Sequence, residues 1–184
     1  MIKLDGLYPA AQTLDIIGYD PASADAEGRV KLRRTGSDLV LHRSDGGYVI
    51  ADIKPGRYLI GRLVQQDFFF GCFQEATFAF EVKPNTVAMI GTYNPLTNTA
   101  DMLAEAERTG KTTNRRNAPT SYFENMRAPD IKAASVEVVA KAEQYLQSNA
   151  QGITLPVEAV VLEPITFRPG RNAFGQKVCA VAVG

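Results

Sequence analysis

The sequence contains a single histidine, His42. A Ser/His/Asp triad or a histidine-rich metal site would have to be built around this residue alone. His42 follows Leu39-Val40-Leu41 in a segment with the pattern of a strand, and no partner residue stands at a suitable spacing. We interpret His42 as a surface or cross-strand residue, and we predict neither a catalytic residue nor a metal site.

The segment Gly110-Lys111-Thr112 ends like a phosphate-binding loop. That loop requires another glycine five residues earlier, where this sequence has Glu105. We therefore interpret Gly110 as the end of a helix, and we predict no cofactor. The neighbouring carboxylates Asp101, Glu105 and Glu107 have the spacing of an ordinary solvated helix face.

A polar segment from Lys111 to about Glu124 contains Arg115, Arg116 and Tyr122. Loops that a rigid β scaffold positions often carry function even where no motif is present. An enzyme whose site is assembled from residues 111–124 is therefore an alternative to a binding protein.

Phenylalanine is concentrated between residues 68 and 80, beginning with three in succession, Phe68, Phe69 and Phe70. Successive side chains of a strand point to opposite faces, so at least one of the three must point away from the main core. That residue packs beneath another element, lines an apolar groove or contacts a partner subunit. Packing within the fold is the commonest fate of phenylalanine, and a ligand or partner surface is the alternative.

Cys72 and Cys179 are the only cysteines. Their separation has no metal-binding spacing, and each is flanked by apolar or aromatic residues. A disulfide between them is typical of an oxidising compartment, whereas two buried thiols in neighbouring strands would give the same sequence pattern. The spacing leaves both interpretations open.

Short apolar segments separated by turn signals dominate the first half of the chain, which is typical of an all-β sandwich or barrel. Similar turn chemistry recurs at Lys54-Pro55-Gly56, Lys83-Pro84-Asn85 and Arg168-Pro169-Gly170. The predicted strands are Leu14–Tyr19, Arg29–Arg34, Leu39–Arg43, Tyr48–Ile53, Tyr58–Gln65, Phe68–Phe73, Thr77–Val82, Thr86–Tyr93, Val157–Phe167 and Lys177–Val183.

Two helices are predicted between residues 94 and 152. Asn98 has the type of a helix N-cap, and a first helix is expected over about Thr99–Thr109. A second helix is expected from about Ile131 to Leu146, where apolar residues recur at helical spacing. Because strands precede and follow this region, we predict one domain over 1–184: an antiparallel β-sandwich with a helical insertion, about 99–149, packed on one face.

The composition restricts the classes of partner. Twenty Lys and Arg balance twenty Asp and Glu, so the chain lacks the positive charge typical of nucleic-acid binding. No apolar segment is long enough to span a bilayer, so no transmembrane segment is predicted. Residues 1–10 lack a signal-peptide pattern, which leaves open that one has been removed.

The stretch from Asp45 to Tyr58 has the form D-G-x-[FY]-x-[FIV]-x-x-[LI]-x-P-G-x-Y, and Phe80-Glu81-Val82-Lys83-Pro84 follows later in the chain. These segments resemble carboxypeptidase-regulatory-like and prealbumin-like β-sandwich modules, which also occur in uncharacterised bacterial lipoproteins. The resemblance covers about Asp45 to Tyr93. It implies an extracytoplasmic binding or structural module, in the periplasm or on the outer surface, with a possible lipid anchor in the precursor.

From these observations we expect a non-catalytic module of the bacterial cell envelope that contacts a protein or a small ligand. The candidate surface consists of Phe68, Phe69, Phe70, Arg115, Arg116 and Tyr122, with Cys72 and Cys179 as a possible disulfide. An enzyme with a site in loop 111–124 and a subunit of a larger assembly are the alternatives.

Overall fold

A computed structural model describes residues 1–5, 12–41, 47–65, 69–111, 121–124, 126–150, 152–168, 170–171 and 177–178. Within these residues the fold is mainly β, with two helices. The strands are β1 (Ile2–Leu4), β2 (Gln12–Asp20), β3 (Lys31–Leu41), β4 (Tyr48–Val49), β5 (Gly56–Gln65), β6 (Phe69–Cys72), β7 (Thr77–Val82), β8 (Val87–Met89), β9 (Gly91–Tyr93), β10 (Ser121–Phe123), β11 (Ile131–Ala133), β12 (Val157–Ala159), β13 (Glu163–Ile165), β14 (Gly170–Arg171) and β15 (Lys177–Val178). The helices are α1 (Pro95–Thr109) and α2 (Val136–Asn149).

The largest sheet has seven strands and is organised around β5. One edge of β5 pairs with β2, which in turn pairs with β3. The other edge is shared, because the first half of β5 pairs with β7 and the second half with β6. Strand β10 extends the sheet beyond β6, and β13 extends it beyond β7. The two outer pairs therefore diverge from a common strand, and the sheet curls.

Smaller sheets complete the sandwich. One has the order β11-β9-β1-β4, another pairs β12 with β8, and a third pairs β14 with β15. Most neighbouring strands are antiparallel, as predicted, but β1–β9, β6–β10 and β8–β12 are parallel. Parallel neighbours need a long crossover connection, and helices α1 and α2 provide it for β6–β10 and β8–β12.

The predicted β-sandwich with a helical insertion is confirmed, and three groups of buried residues hold it together. The main core lies on the inner face of the large sheet and includes Ile60, Phe80 and Tyr93, together with Met102 of α1. A second group, around Leu59 and Phe167, lies on the opposite face. The third group lies beneath α2. The insertion thus contributes side chains to two of the three groups.

Both helices differ from their predicted bounds. Asn94 is the N-cap of α1, so the helix begins four residues before the predicted Thr99. Ser135 is the N-cap of α2, because the preceding Ile131–Ala133 forms strand β11 against β9. The insertion is therefore not purely helical, since β10 and β11 extend two of the sheets.

Candidate functional site

The three consecutive phenylalanines separate as the two-residue period of a strand requires. Phe69 is buried in the main core, with 2% of its surface exposed. Phe70 is half-buried, and its ring stacks on that of Tyr122, with the centroids 5.2 Å apart. Phe68 lies outside the described residues. The structure therefore brings two of the predicted surface residues, Phe70 and Tyr122, into contact.

Arg62 completes this contact from the neighbouring strand β5. Its guanidinium carbon lies 4.8 Å from the centroid of the Phe70 ring, within cation–π range. Its Nε forms an ion pair with Asp15 of β2, whose carboxylate is almost fully buried. The Phe70 ring is thus held between Arg62 and Tyr122. This arrangement joins β10 to the sheet and accounts for the outward phenylalanine by packing within the fold.

The loop predicted as an alternative enzyme site is only partly described. Arg115 and Arg116 lie outside the described residues. At the ends of the loop, the Nζ of Lys111 donates a hydrogen bond to the carbonyl oxygen of Tyr122 at 2.5 Å, and Phe123 is fully buried. The hypothesis of a site in 111–124 therefore remains a prediction from the sequence.

Cys72 at the end of β6 is 1% exposed and forms a disulfide. Cys179, the only other cysteine in the sequence, lies outside the described residues. The pairing of Cys72 with Cys179 therefore remains a prediction.

A cleft that the sequence did not predict lies beside β7, and we name it the β7 cleft. Strand β13 pairs with β7 from Thr77 to Ala79 and then leaves it. Residues 160–162 turn toward β8, where the amide of Val160 donates a hydrogen bond to the carbonyl oxygen of Met89 at 3.1 Å. The divergence of these segments leaves an open space of about 210 Å³ between the two sheets.

Charged side chains surround the β7 cleft. Its lining contains the carboxylates Glu81, Glu158 and Glu163 and the cations Arg57 and Lys83. The Nζ of Lys83 lies 2.8 Å from a carboxylate oxygen of Glu158, and this ion pair bridges the β7–β8 turn and β12. The hydrogen bond and the charge of Glu158 raise the pKa of Lys83, and the charge of Glu81 also raises it.

Apolar groups form the rest of the β7 cleft. Phe80 and Ala88 are buried at its base, whereas Val161 is 75% exposed. An exposed valine beside a concave surface is available to cover the apolar part of a ligand. The β7 cleft therefore combines a small apolar surface with a charged rim.

Part of the lining of the β7 cleft comes from Phe80-Glu81-Val82-Lys83, a segment whose pattern predicts a strand followed by a turn and indicates no site. The opposite wall of the cleft consists of residues 158–163, which follow the insertion in the sequence. No local signal places it beside β7, because that pairing depends on the fold of the intervening chain.

The described residues contain no group of three or more His, Cys, Asp and Glu side chains that could hold a metal ion. Neither described helix is long and apolar enough to cross a bilayer. The chain matches no protein-family model, no curated protein and no solved structure.

Proposed function

We propose that this chain is a non-catalytic binding module of the bacterial cell envelope and that it holds its ligand in the β7 cleft. The observation that carries the proposal is the cleft itself, a concave space between two diverging strand pairs with an apolar base and a charged rim. Small-molecule sites in proteins have this combination of apolar lining and a few placed polar groups. The volume suits a small molecule or one side chain of a larger partner.

Two further observations support the envelope as its location. Cys72 forms a disulfide, and disulfides persist mainly in oxidising compartments such as the periplasm. The segment from Asp45 to Tyr93 resembles modules that occur in bacterial lipoproteins. These observations favour an extracytoplasmic site of action and a lipid-anchored precursor.

Ligand mapping by NMR tests the binding proposal. We would titrate the ¹⁵N-labelled chain with a set of small anionic, cationic and apolar compounds and record amide shifts. We expect the largest shifts at residues 80–83, 86–88 and 158–163. Val161→Trp fills the mouth of the β7 cleft and should abolish these shifts.

Val136→Trp is the matched control, because Val136 is 88% exposed on α2 and does not line the β7 cleft. This variant should bind like the natural chain. If shifts from every compound map elsewhere, or if Val161→Trp binds normally, the β7 cleft is not the ligand site. The location is tested separately by fractionating source cells: recovery of the protein with the cytoplasmic fraction and in reduced form would contradict an envelope role.

A further inference from the structure

We infer that the β7 cleft selects a cationic group, an ammonium or guanidinium, carried on a short apolar stem. This inference rests on the proposed function, since it specifies the ligand of the same cleft. It follows from the positions of two carboxylates, the state of the two cations beside them, and the apolar surface that adjoins them.

The two carboxylates, Glu81 and Glu163, share one face of the sheet. Ala79 belongs to the buried group on the outer face, whereas Phe80 and Val82 belong to the main core on the inner face. Glu81 is two residues from Ala79, so strand alternation places it on the outer face as well. Glu163 is the direct cross-strand partner of Ala79 and therefore shares that face.

Both carboxylates are available to a ligand. Glu81 and Glu163 are exposed, and among the described residues neither forms an ion pair or a side-chain hydrogen bond. The third carboxylate, that of Glu158, is already paired with Lys83.

The two cations of the cleft lining do not fully neutralise the carboxylates of that lining. Lys83 pairs with Glu158, and the charge of Glu81 also contributes to its raised pKa. Arg57, by contrast, stands opposite Glu81 in the β5–β7 register without an ion pair among the described residues. The described lining thus has three carboxylates, those of Glu81, Glu158 and Glu163, against the two cations Arg57 and Lys83. The rim therefore has an excess of negative charge that a single cationic group would neutralise.

The neighbouring surface suits an apolar stem. Val161 is 75% exposed and lines the same space as both carboxylates. The volume of about 210 Å³ corresponds to about seven water molecules. Such a space admits one lysine or arginine side chain, whose methylene groups cover apolar surface while the charged end reaches the carboxylates.

Such a group has two sources, a basic side chain of a protein partner or a free polyamine. We would measure dissociation constants by NMR titration for Nα-acetyl-lysine methylamide and Nα-acetyl-arginine methylamide as models of the first source, and for putrescine as a model of the second. The norleucine and glutamate analogues of the same amides serve as controls. We expect the cationic amides to bind at least about fivefold more tightly than the norleucine analogue, because an exposed charge pair contributes about this factor.

The double variant Glu81→Gln, Glu163→Gln should weaken binding of the cationic amides by about fivefold and leave binding of the norleucine analogue unchanged. The matched control Glu143→Gln removes an exposed carboxylate of α2 and should have no effect. Tighter binding of putrescine than of the amides would assign the ligand to free polyamines, and the reverse order would assign it to a basic side chain.

Two results would overturn this inference. Equal binding of the lysine, norleucine and glutamate amides would show that charge is not selected, and preference for the glutamate amide would show that Arg57 dominates. In either case shifts at the β7 cleft would leave the proposed binding function standing. Shifts confined to other surfaces would contradict the proposed function as well.

Discussion

The hydroxyl of Tyr58 donates a hydrogen bond to the carbonyl oxygen of Lys54, four residues earlier, at 2.6 Å. The ring lies against Gly56, where an added Cβ would be 3.5 Å from its edge. The P-G-x-Y segment is therefore a turn closed by its own tyrosine. Burial of this hydroxyl raises the pKa of Tyr58.

We predict that Tyr58→Phe lowers the free energy of unfolding by about 1 kcal/mol, because one partly buried hydrogen bond is lost while the ring remains. In the natural chain the unfolded state releases the Tyr58 proton near pH 10, before the folded state does. Stability therefore falls as the pH rises above 10, and Tyr58→Phe should show a smaller fall.

Urea unfolding at pH 8 and at pH 10.5 measures both effects. Tyr122→Phe is the control, because no described residue bonds the Tyr122 hydroxyl and its ring stacking is retained. Equal alkaline losses in the natural chain and in Tyr58→Phe would contradict the assignment.

Strand β7 shows why the β elements around this turn could be predicted. Its observed bounds, Thr77–Val82, are those expected from the sequence. Its apolar residues alternate between two buried groups, and that alternation is a local signal. The fold class was predictable because strands such as this one carry their periodicity within six or more residues.

Strand β3 shows where local signals fail. Two strands, Arg29–Arg34 and Leu39–Arg43, were expected on either side of a polar turn, but one strand runs from Lys31 to Leu41. The register shifts within it, since Gly36 pairs with Ile17 and Leu32 with Tyr19. The segment between the two expected strands forms an irregularity in a long hairpin instead of a turn. Pairing with β2 on both sides of this irregularity outweighs the turn propensity of its polar residues.

The candidate site could be predicted from the sequence even less well than the strands. Phe70 and Tyr122 were selected separately, but their contact depends on the parallel pairing of β6 with β10 across α1. The carboxylates Glu81 and Glu163 line the same cleft only because β13 returns to β7 after the whole insertion. Neither relationship has a signal within one segment.

Gly91 of β9 lies close to the backbone of β11, which belongs to the insertion. Its φ is 141°, and an added Cβ would lie 2.2 Å from the carbonyl oxygen of Lys132. We predict that Gly91→Ala separates β9 from β11 and costs about 3 kcal/mol of stability, because a backbone atom cannot move aside as a side chain can. Thermal or urea unfolding measures the loss.

Gly28→Ala is the matched control for Gly91→Ala. Gly28 also has positive φ, at 76°, but nothing lies within 4 Å of an added Cβ. This substitution carries only the conformational cost of about 1 kcal/mol. Equal losses in the two variants would show that the contact with Lys132 is unimportant.

Asn98 connects α1 to the segment that precedes β11. Asn98 is fully buried. Its side-chain oxygen accepts hydrogen bonds from the Tyr93 hydroxyl and from the backbone amide of Asp130. Its side-chain nitrogen donates a hydrogen bond to the carbonyl oxygen of Ala128. We predict that Asn98→Ala costs about 3 kcal/mol and lowers hydrogen-exchange protection at Asp130. Asn149→Ala removes an exposed asparagine and should cost less than about 0.5 kcal/mol. Unchanged protection at Asp130 would contradict this role.

Gln12 is a buried polar residue, and only one of the two polar atoms of its side chain has a hydrogen-bond partner among the described residues. It is 3% exposed, and its amide nitrogen donates to the Thr99 hydroxyl at 2.8 Å, but its oxygen has no hydrogen-bond partner among the described residues. We predict that Gln12→Met raises stability by about 1 kcal/mol, because it removes an unsatisfied acceptor at nearly constant volume. Gln144→Met on the exposed face of α2 should be neutral. A clear loss for Gln12→Met would contradict the prediction and show that the hydrogen bond to Thr99 outweighs the unsatisfied acceptor.

Cys72 at the end of β6 forms a disulfide, and we predict that its partner is Cys179. Non-reducing peptide mapping should recover Cys72 linked to Cys179, the only other cysteine. Reduction should lower the free energy of unfolding by about 4 kcal/mol, because the bond closes a loop of roughly a hundred residues in the unfolded chain. The double variant Cys72→Ala, Cys179→Ala should be insensitive to reductant. If reductant destabilises this variant as much as the natural chain, the effect does not come from the disulfide. Recovery of Cys72 as a free thiol would remove the strongest structural support for an oxidising compartment.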